Sequence, residues 1–190
     1  MRQLLIFIAL ITTTALAQVA PAFRERTYFV KGVRDSKDVA AITAAIQKVP
    51  TVTDVAGFTS KTGAVTVRFD AHSISHGQVA YAIMNTHAGP GRHYTVTMRF
   101  HIPDYSRREN VQAVDTIMAR EAKLAEIKVV DRRRGVFEAR VLPFTLDPAK
   151  KGPQGFHCGP LFHAIHDAPP KGLGLDFDFV GRDGKPDPLQ

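Results

Sequence analysis

The sequence predicts an α+β protein built from two tandem βαββαβ modules. Strand-like segments with a two-residue apolar period alternate with helix-like segments whose apolar residues recur every three or four positions. The order of these segments is similar in the two halves of the chain. Hydrophobic residues make up 44% of the 190 residues, which is enough for a packed core and excludes a largely disordered chain.

The first half predicts three strands and two helices. Ile42 and Ile46 lie on one side of a predicted helix over 37–49. Ser75 and Gln78 have the spacing of a capping box, so we expect the second helix to begin there. The predicted strands cover residues 28–33, 52–58 and 64–69.

The second half repeats this order. Val96, Met98 and Phe100 alternate with polar residues and predict a half-buried strand over 94–100. A polar tail is predicted at 182–190. The other predicted elements are helices over 110–124 and 160–167 and strands over 127–131, 136–142 and 173–179.

The strand count leaves one module incomplete. Two four-stranded modules need eight strands, and the sequence predicts only seven. A strand has two edges, and 94–100 would need three neighbours to serve both modules. We therefore assign it to the second module; the converse assignment would leave the second module truncated instead. We expect the first module to have three strands or a very short fourth strand near 87–92.

The chain begins with the pattern of a secretory signal peptide. Arg2 precedes a short apolar run, and residues 15–17 form an Ala-x-Ala cleavage signal. We predict a signal peptide at 1–17 and an exported mature protein, either periplasmic or extracellular. No other segment is long enough to cross a bilayer, so no stable membrane span is expected after cleavage.

Composition and motifs argue against nucleic-acid binding and against catalysis. The formal net charge is +7, but most of the basic residues are scattered. The run 132–134 is followed by Gly135 between two predicted strands, which is typical of a solvated hairpin turn. We find no phosphate loop, serine nucleophile elbow or His-Glu-x-x-His motif. No catalytic residue is predicted.

The segment 30–38 reads Val-Lys-Gly-Val-Arg-Asp-Ser-Lys-Asp, and a Lys-Thr-Gly turn at 61–63 joins the next two strands. With these features, residues 28–89 resemble the heavy-metal-associated domain family of copper chaperones and metal-pumping ATPases. That family has a ferredoxin-like βαββαβ fold and the metal motif Gly-Met-x-Cys-x-x-Cys. Its two cysteine positions fall here on Asp35 and Asp38.

The resemblance implies a metal-carrier scaffold whose thiolate pair has been replaced. It predicts a ferredoxin-like domain of this family at 27–92. A second ferredoxin-like domain at 93–181 is similar to the family only in topology.

One candidate metal site lies at the top of the first module. In this fold the loop after the first strand and the end of the second helix share one apex, which would bring Asp35 and Asp38 near His87. Carboxylates favour hard ions, and an added imidazole shifts the preference toward Zn, Ni or Cu(II). The competing interpretation is that an aspartate at a helix start caps free N–H groups.

The equivalent apex of the second module would bring His101 near His163 and His166. The last two are three residues apart on a predicted helix, so they share a face and could bind a borderline metal ion such as zinc. The competing interpretation is an ordinary solvated helix face. Asp167 could orient one imidazole or could be ordinary surface charge.

The third candidate site is His157 with Cys158. A thiolate and an imidazole together would suit Cu(I) or Zn. Cys158 is the only cysteine, so it cannot form an internal disulfide, and a lone buried cysteine most often acts as a small hydrophobic residue.

Two functions are consistent with these features. The first is an exported, non-enzymatic metal-handling protein that binds a transition-metal ion, Cu, Zn or Ni. The alternative is a secreted interaction module that has kept the scaffold and lost the metal. Such a module would bind a protein partner through its open sheet edges.

Overall fold

The computed structural model describes residues 20–120 and 123–187, so the signal peptide predicted at 1–17 lies outside the described residues. Within them, the chain forms one seven-stranded sheet and four α-helices. The strands are β1 (Phe23–Lys31), β2 (Val52–Ala56), β3 (Ala64–Asp70), β4 (Thr95–His101), β5 (Ala125–Asp131), β6 (Val136–Val141) and β7 (Asp178–Phe179). The helices are α1 (Ser36–Gln47), α2 (His76–Met84), α3 (Arg108–Arg120) and α4 (Gly159–His166), and a short 3-10 turn (Pro103–Ser106) precedes α3. None of the described helices has the length and apolar character needed to cross a bilayer.

The sheet contains two βαββαβ units that share strand β4. The strand order is β2-β3-β1-β4-β6-β5, with β7 also paired to β4, and the pairs are antiparallel. The first unit runs from β1 to β4 and the second from β4 to β7. The predicted α+β architecture of two ferredoxin-like units is confirmed.

Strand β4 serves both units because one of its edges is divided along its length. Residues 29–31 of β1 pair with 95–97, β7 pairs with the last two residues of β4, and β6 occupies the opposite edge. The prediction that strand 94–100 belongs to the second module alone is therefore wrong, and no separate strand forms near 87–92. One edge of β4 pairs with two short segments in succession, so two edges are enough for three neighbours.

The end of the described chain fills the space where β1 and β4 diverge. The Asp187 carboxylate accepts hydrogen bonds from the Thr27 N–H and from the Thr27 hydroxyl, both at 3.0 Å. Asp187 is only 5% exposed. Part of the polar tail predicted at 182–190 is thus packed against the sheet, and the strand predicted at 173–179 is shortened to β7.

The helices pack against the sheet and bury a continuous core. Val96, Met98 and Phe100 of β4 are buried, whereas Arg99 and His101 alternate with them and are partly exposed. The buried side chains form one cluster across both units. The helices contribute to it Ile42, Ile46, Val79, Ile83, Val114, Met118, Leu161 and Ile165.

The loop before α4 fixes the second unit against the start of α2. The Gly77 N–H donates to the Phe156 carbonyl at 2.8 Å, and the Ser75 hydroxyl donates to the Gln154 carbonyl. A Cβ at Gly77 would lie 2.5 Å from the Phe156 nitrogen, so this close approach requires glycine. The predicted capping box of Ser75 and Gln78 is present.

Because both units share β4 and one core, we expect the chain to unfold in a single transition. Met98→Ala removes a side chain that is 1% exposed, and should lower the free energy of unfolding by about 2–5 kcal/mol. Urea denaturation followed by amide signals in β1 and in β6 should give one midpoint that shifts in both. Thr53→Ala, on an exposed position of β2, should change stability by less than about 0.5 kcal/mol. Separate midpoints for the two strands would contradict this expectation.

Candidate functional site

Asp35 caps helix α1 at the position where the resemblance places the metal loop. Its carboxylate accepts hydrogen bonds from the N–H groups of Lys37 at 2.9 Å and Asp38 at 3.0 Å. These donors have no partner within the helix, so the cap stabilises the start of α1. Asp35 therefore has the capping role that competes with metal binding.

Asp38 pairs with Arg92, which lies just before β4. The guanidinium is 2.7 Å from the Asp38 carboxylate and also donates to the Gly32 carbonyl at 3.1 Å. The Arg34 N–H donates to the same carboxylate at 2.9 Å. A guanidinium thus neutralises Asp38 where the resemblance would place a metal ion.

The surroundings of Asp38 hold the pKa of its carboxyl below the ordinary value. The Tyr94 hydroxyl has the largest effect, followed by the Arg34 N–H and Arg92. The Tyr94 hydroxyl is buried and has no partner within normal hydrogen-bond limits, so it influences the Asp38 carboxyl from a longer distance. Asp38 is therefore ionised at neutral pH, and a cation that bound it would have to compete with Arg92.

The second unit exposes two of its predicted histidines on the last turn of α4. The Nδ1 atom of His163 lies 3.2 and 3.3 Å from the two carboxylate oxygens of Asp167, which can fix the orientation of the imidazole. The His166 ring stacks on Phe162 with 4.7 Å between ring centres. His101 ends β4 opposite Asp178 of β7.

His157 and Cys158 precede α4 and face different surroundings. The Nδ1 atom of His157 accepts a hydrogen bond from the Gly159 N–H at 2.8 Å, and this side chain is exposed. Cys158 is 3% exposed, and burial raises the pKa of its thiol. A protonated, buried thiol is a poor nucleophile and a poor metal ligand, which favours the small-hydrophobe interpretation of Cys158.

Across residues 20–120 and 123–187, no group of three or more His, Cys, Asp and Glu side chains could hold a metal ion. His87 lies exposed in the loop after α2. The structure does not bring the predicted ligands together into such a group. Metal binding at the individual residues stays a prediction.

A buried polar cluster lies where β1 and β4 diverge, and none of its residues is among the site residues predicted from the sequence. Arg26 is 6% exposed, and its guanidinium carbon lies 4.3 Å from the centre of the Phe179 ring. Tyr28 is fully buried, with its hydroxyl 3.4 Å from Nδ1 of His76. Arg26 lies two residues before Tyr28, so in a strand that includes both residues their side chains point to the same, core-facing side. The predicted strand began at residue 28, whereas β1 begins at Phe23 and includes Arg26. An earlier strand start would have revealed it.

Burial decides the charge states in this cluster. It lowers the pKa of His76 well below its ordinary value, and the charges of Arg26 and His157 lower it further. Burial also raises the pKa of the Tyr28 hydroxyl well above its ordinary value. His76 and Tyr28 are therefore neutral at pH 7, which limits the cost of burying them beside a cation.

Comparisons with known proteins do not place the chain in a family. No protein-family model and no curated protein matches it. Two similar solved structures are the water-soluble region of the P-type ATPase CopA from Bacillus subtilis and the N-terminal soluble domains of Bacillus subtilis CopA. The first is 18% identical, covers 64% of this chain and 78% of its own, and has a TM-score of 0.36. The second is 15% identical, covers 84% and 95%, and has a TM-score of 0.34.

TM-scores of this size support no conclusion about function. The two βαββαβ units are evident from the strand order and the registers of this chain itself. The resemblance to the heavy-metal-associated family stays a resemblance.

The neutral state of His76 predicts a pH-dependent stability. Its pKa in the folded chain lies below the unfolded value of about 6.5, so the unfolded chain takes up a proton first as the pH falls. As the pH drops below about 6.5, the free energy of unfolding should therefore decrease, and His76 should contribute up to about 1.4 kcal/mol per pH unit to this decrease. His76→Phe keeps an aromatic ring against Phe69 and Phe179 and should flatten the slope. Urea denaturation between pH 5 and 8 measures the slope of the free energy of unfolding against pH.

The matched control is His72→Phe, because His72 is exposed in the turn before α2. This variant should keep the wild-type slope. An unchanged slope in His76→Phe would show that His76 is not the group responsible.

Proposed function

We propose that this chain is an exported, non-enzymatic interaction module that binds a protein partner through the edge of its sheet at β5. The observation that carries the proposal is the exposed edge of this strand. Within the described part of the chain, β5 pairs only with β6, so its other edge offers unpaired backbone N–H and C=O groups. Such an edge is a template for strand addition.

Apolar side chains mark both ends of this edge. Leu124 is 43% exposed and Val130 is 45% exposed, and they are the large hydrophobic side chains exposed among the described residues. Both lie at β5, one just before its first residue and one near its end. Two exposed apolar side chains beside unpaired backbone groups are suited to a bound strand. Single exposed hydrophobic residues elsewhere would need no explanation.

The opposite edge of the sheet is less suited to a partner strand. It is formed by β2, which has five residues against seven in β5, while each strand has one register irregularity, at Val52/Asp54 and at Val129/Asp131. Short strands are a common device that protects sheet edges from pairing. This difference between the edges supports β5 as the docking edge.

The chemistry of the metal-loop positions also supports an interaction function over the carrier function that the resemblance implies. Asp35 is engaged in capping α1, and Asp38 is paired with Arg92. A metal ion bound there would have to displace the Arg92 guanidinium from Asp38, and the Asp35 carboxylate would lose its capping hydrogen bonds. Export is supported by the leader pattern at 1–17.

Metal handling is a second candidate function, and one observation favours it. His163 is held by Asp167 at 3.2 Å, which leaves its Nε2 atom turned away from that carboxylate, and His166 lies one turn along on the same helix. Two imidazoles at this spacing can bind Zn, Ni or Cu(II) with solvent completing the coordination.

Site-specific crosslinking tests the interaction function. Val130→p-benzoylphenylalanine places a photo-reactive group on the β5 edge, and Thr53→p-benzoylphenylalanine places it on β2 as a matched control. Illumination of cells that produce the full chain should give a discrete covalent adduct at position 130 and none at position 53. Equal labelling at both positions, or no adduct at position 130, would overturn the proposal.

Metal loading tests the second candidate. Residues 18–190 would be loaded separately with Cu(I), Zn and Ni, desalted and analysed for bound metal. On the interaction proposal, less than about a tenth of an equivalent of each ion should remain, since no three-ligand group is assembled among the described residues. Retention that is lost in the variant His163→Gln/His166→Gln would establish the second candidate. Retention lost in Asp35→Ala/Asp38→Ala would instead locate the metal at the start of α1.

A further inference from the structure

We infer that the partner of the β5 edge is a second copy of this chain, with the two β5 strands antiparallel about a two-fold axis at Ile127. This inference rests on the proposed function, because it names the occupant of the same edge. It follows from the directions of the backbone groups, the order of charges and the positions of the exposed apolar residues.

The backbone groups of β5 fix which residues can pair across the axis. The Leu124 carbonyl accepts a hydrogen bond from the Leu142 N–H at 3.1 Å, so Leu124 turns its backbone groups toward β6. By the alternation of antiparallel strands, Ala125, Ile127 and Val129 turn theirs toward the free edge. An axis at Ile127 places Ile127 opposite its own copy and Ala125 opposite Val129. Each of these pairs can exchange two hydrogen bonds.

The charged side chains of β5 are complementary in this register. Glu126 lies opposite Lys128 of the second copy, and the symmetry repeats the pair. Opposite charges directly across a strand pair are stabilising, and like charges are destabilising. The register therefore gains two favourable pairs from one arrangement.

The same alternation of charge already crosses the sheet within one chain. Glu126 is hydrogen-bonded to Arg140, Lys128 lies 3.9 Å from Glu138, and Glu138 accepts from Arg99 at 2.8 Å. The two-fold pairing would continue these rows without a sign conflict. A row would run from Arg140 through Glu126 to Lys128 and Glu138 of the second copy.

The two exposed apolar side chains also meet in this register. By residue count Leu124 lies opposite Val130 of the second copy, at both ends of the paired strands, and Val130 is the residue at which the register of β5 with β6 shifts. Val130 lines a groove with Arg99 and Glu138, so its side chain is on the sheet face that carries the charged rows. Pairing would cover the Leu124 and Val130 side chains that are exposed in a single copy.

Neighbouring registers lack this agreement. An axis at Lys128 places two lysines opposite each other, and an axis at Glu126 places two glutamates opposite each other. An axis between two residues would set a charged side chain against a core-facing one such as Ile127. The axis at Ile127 is the one in which backbone, charge and apolar contacts all agree.

Sedimentation equilibrium of residues 18–190 tests the inference. Pairing of one short edge buries less surface area than a standard protein–protein interface, so we expect a dimer with a dissociation constant in the micromolar range. Glu126→Lys and Lys128→Glu, each alone, create two like-charge pairs and should raise the dissociation constant about tenfold. An equimolar mixture of the two variants should recover wild-type affinity as a heterodimer, because both pairs then have opposite charges.

The control is Asp54→Lys, which makes the same change of charge on the opposite edge at β2 and should leave the dissociation constant within about twofold of wild type. Circular dichroism melting of each variant establishes that it is folded. A wild-type chain that is monomeric at about 500 μM, or a mixture that fails to recover affinity, would overturn the inference. A crosslink from position 130 to a different protein would overturn it while leaving the proposed function standing.

Discussion

The division of one edge of β4 between β1 and β7 is the constraint on which the rest of the structure depends. Because β1 takes the first part of that edge and β7 the last, two βαββαβ units become one sheet with one core. The same division forces β1 and β4 apart beyond their short pairing. The gap is closed by the end of the described chain, where Asp187 satisfies the Thr27 N–H.

Polar groups in this molecule are placed where they complete the fold. Arg26, Tyr28 and His76 fill the divergence between β1 and β4, and Asp38 pairs with Arg92 at the start of α1. Neutral Tyr28 and His76 limit the cost of burial beside Arg26, and Arg92 neutralises the ionised Asp38. The metal-loop positions of the resembled family thus have structural partners here, and among the described residues β5 is one of the two edge strands that offer unpaired backbone groups.

The sequence was sufficient for the elements whose signals are local. The apolar spacing of Ile42 and Ile46 located α1, and the capping box of Ser75 and Gln78 located the start of α2. The candidate site was less predictable. Asp35 was correctly considered as a cap, but the partner of Asp38 is Arg92, which lies 54 residues away in the chain. No local pattern specifies a pairing at that distance.

The sequence by itself determined the α+β class, the order of helices and strands and the alternation that makes one side of β4 apolar. These features follow from periodicities of two and 3.6 residues, which are properties of neighbouring residues. Only the tertiary structure decided that β4 is shared, that Arg26 and Asp187 are buried, and that β5 is left as an edge. These outcomes depend on which backbone groups and side chains meet across the sheet, and hydrogen-bond pairing between distant strands is not encoded by any single segment.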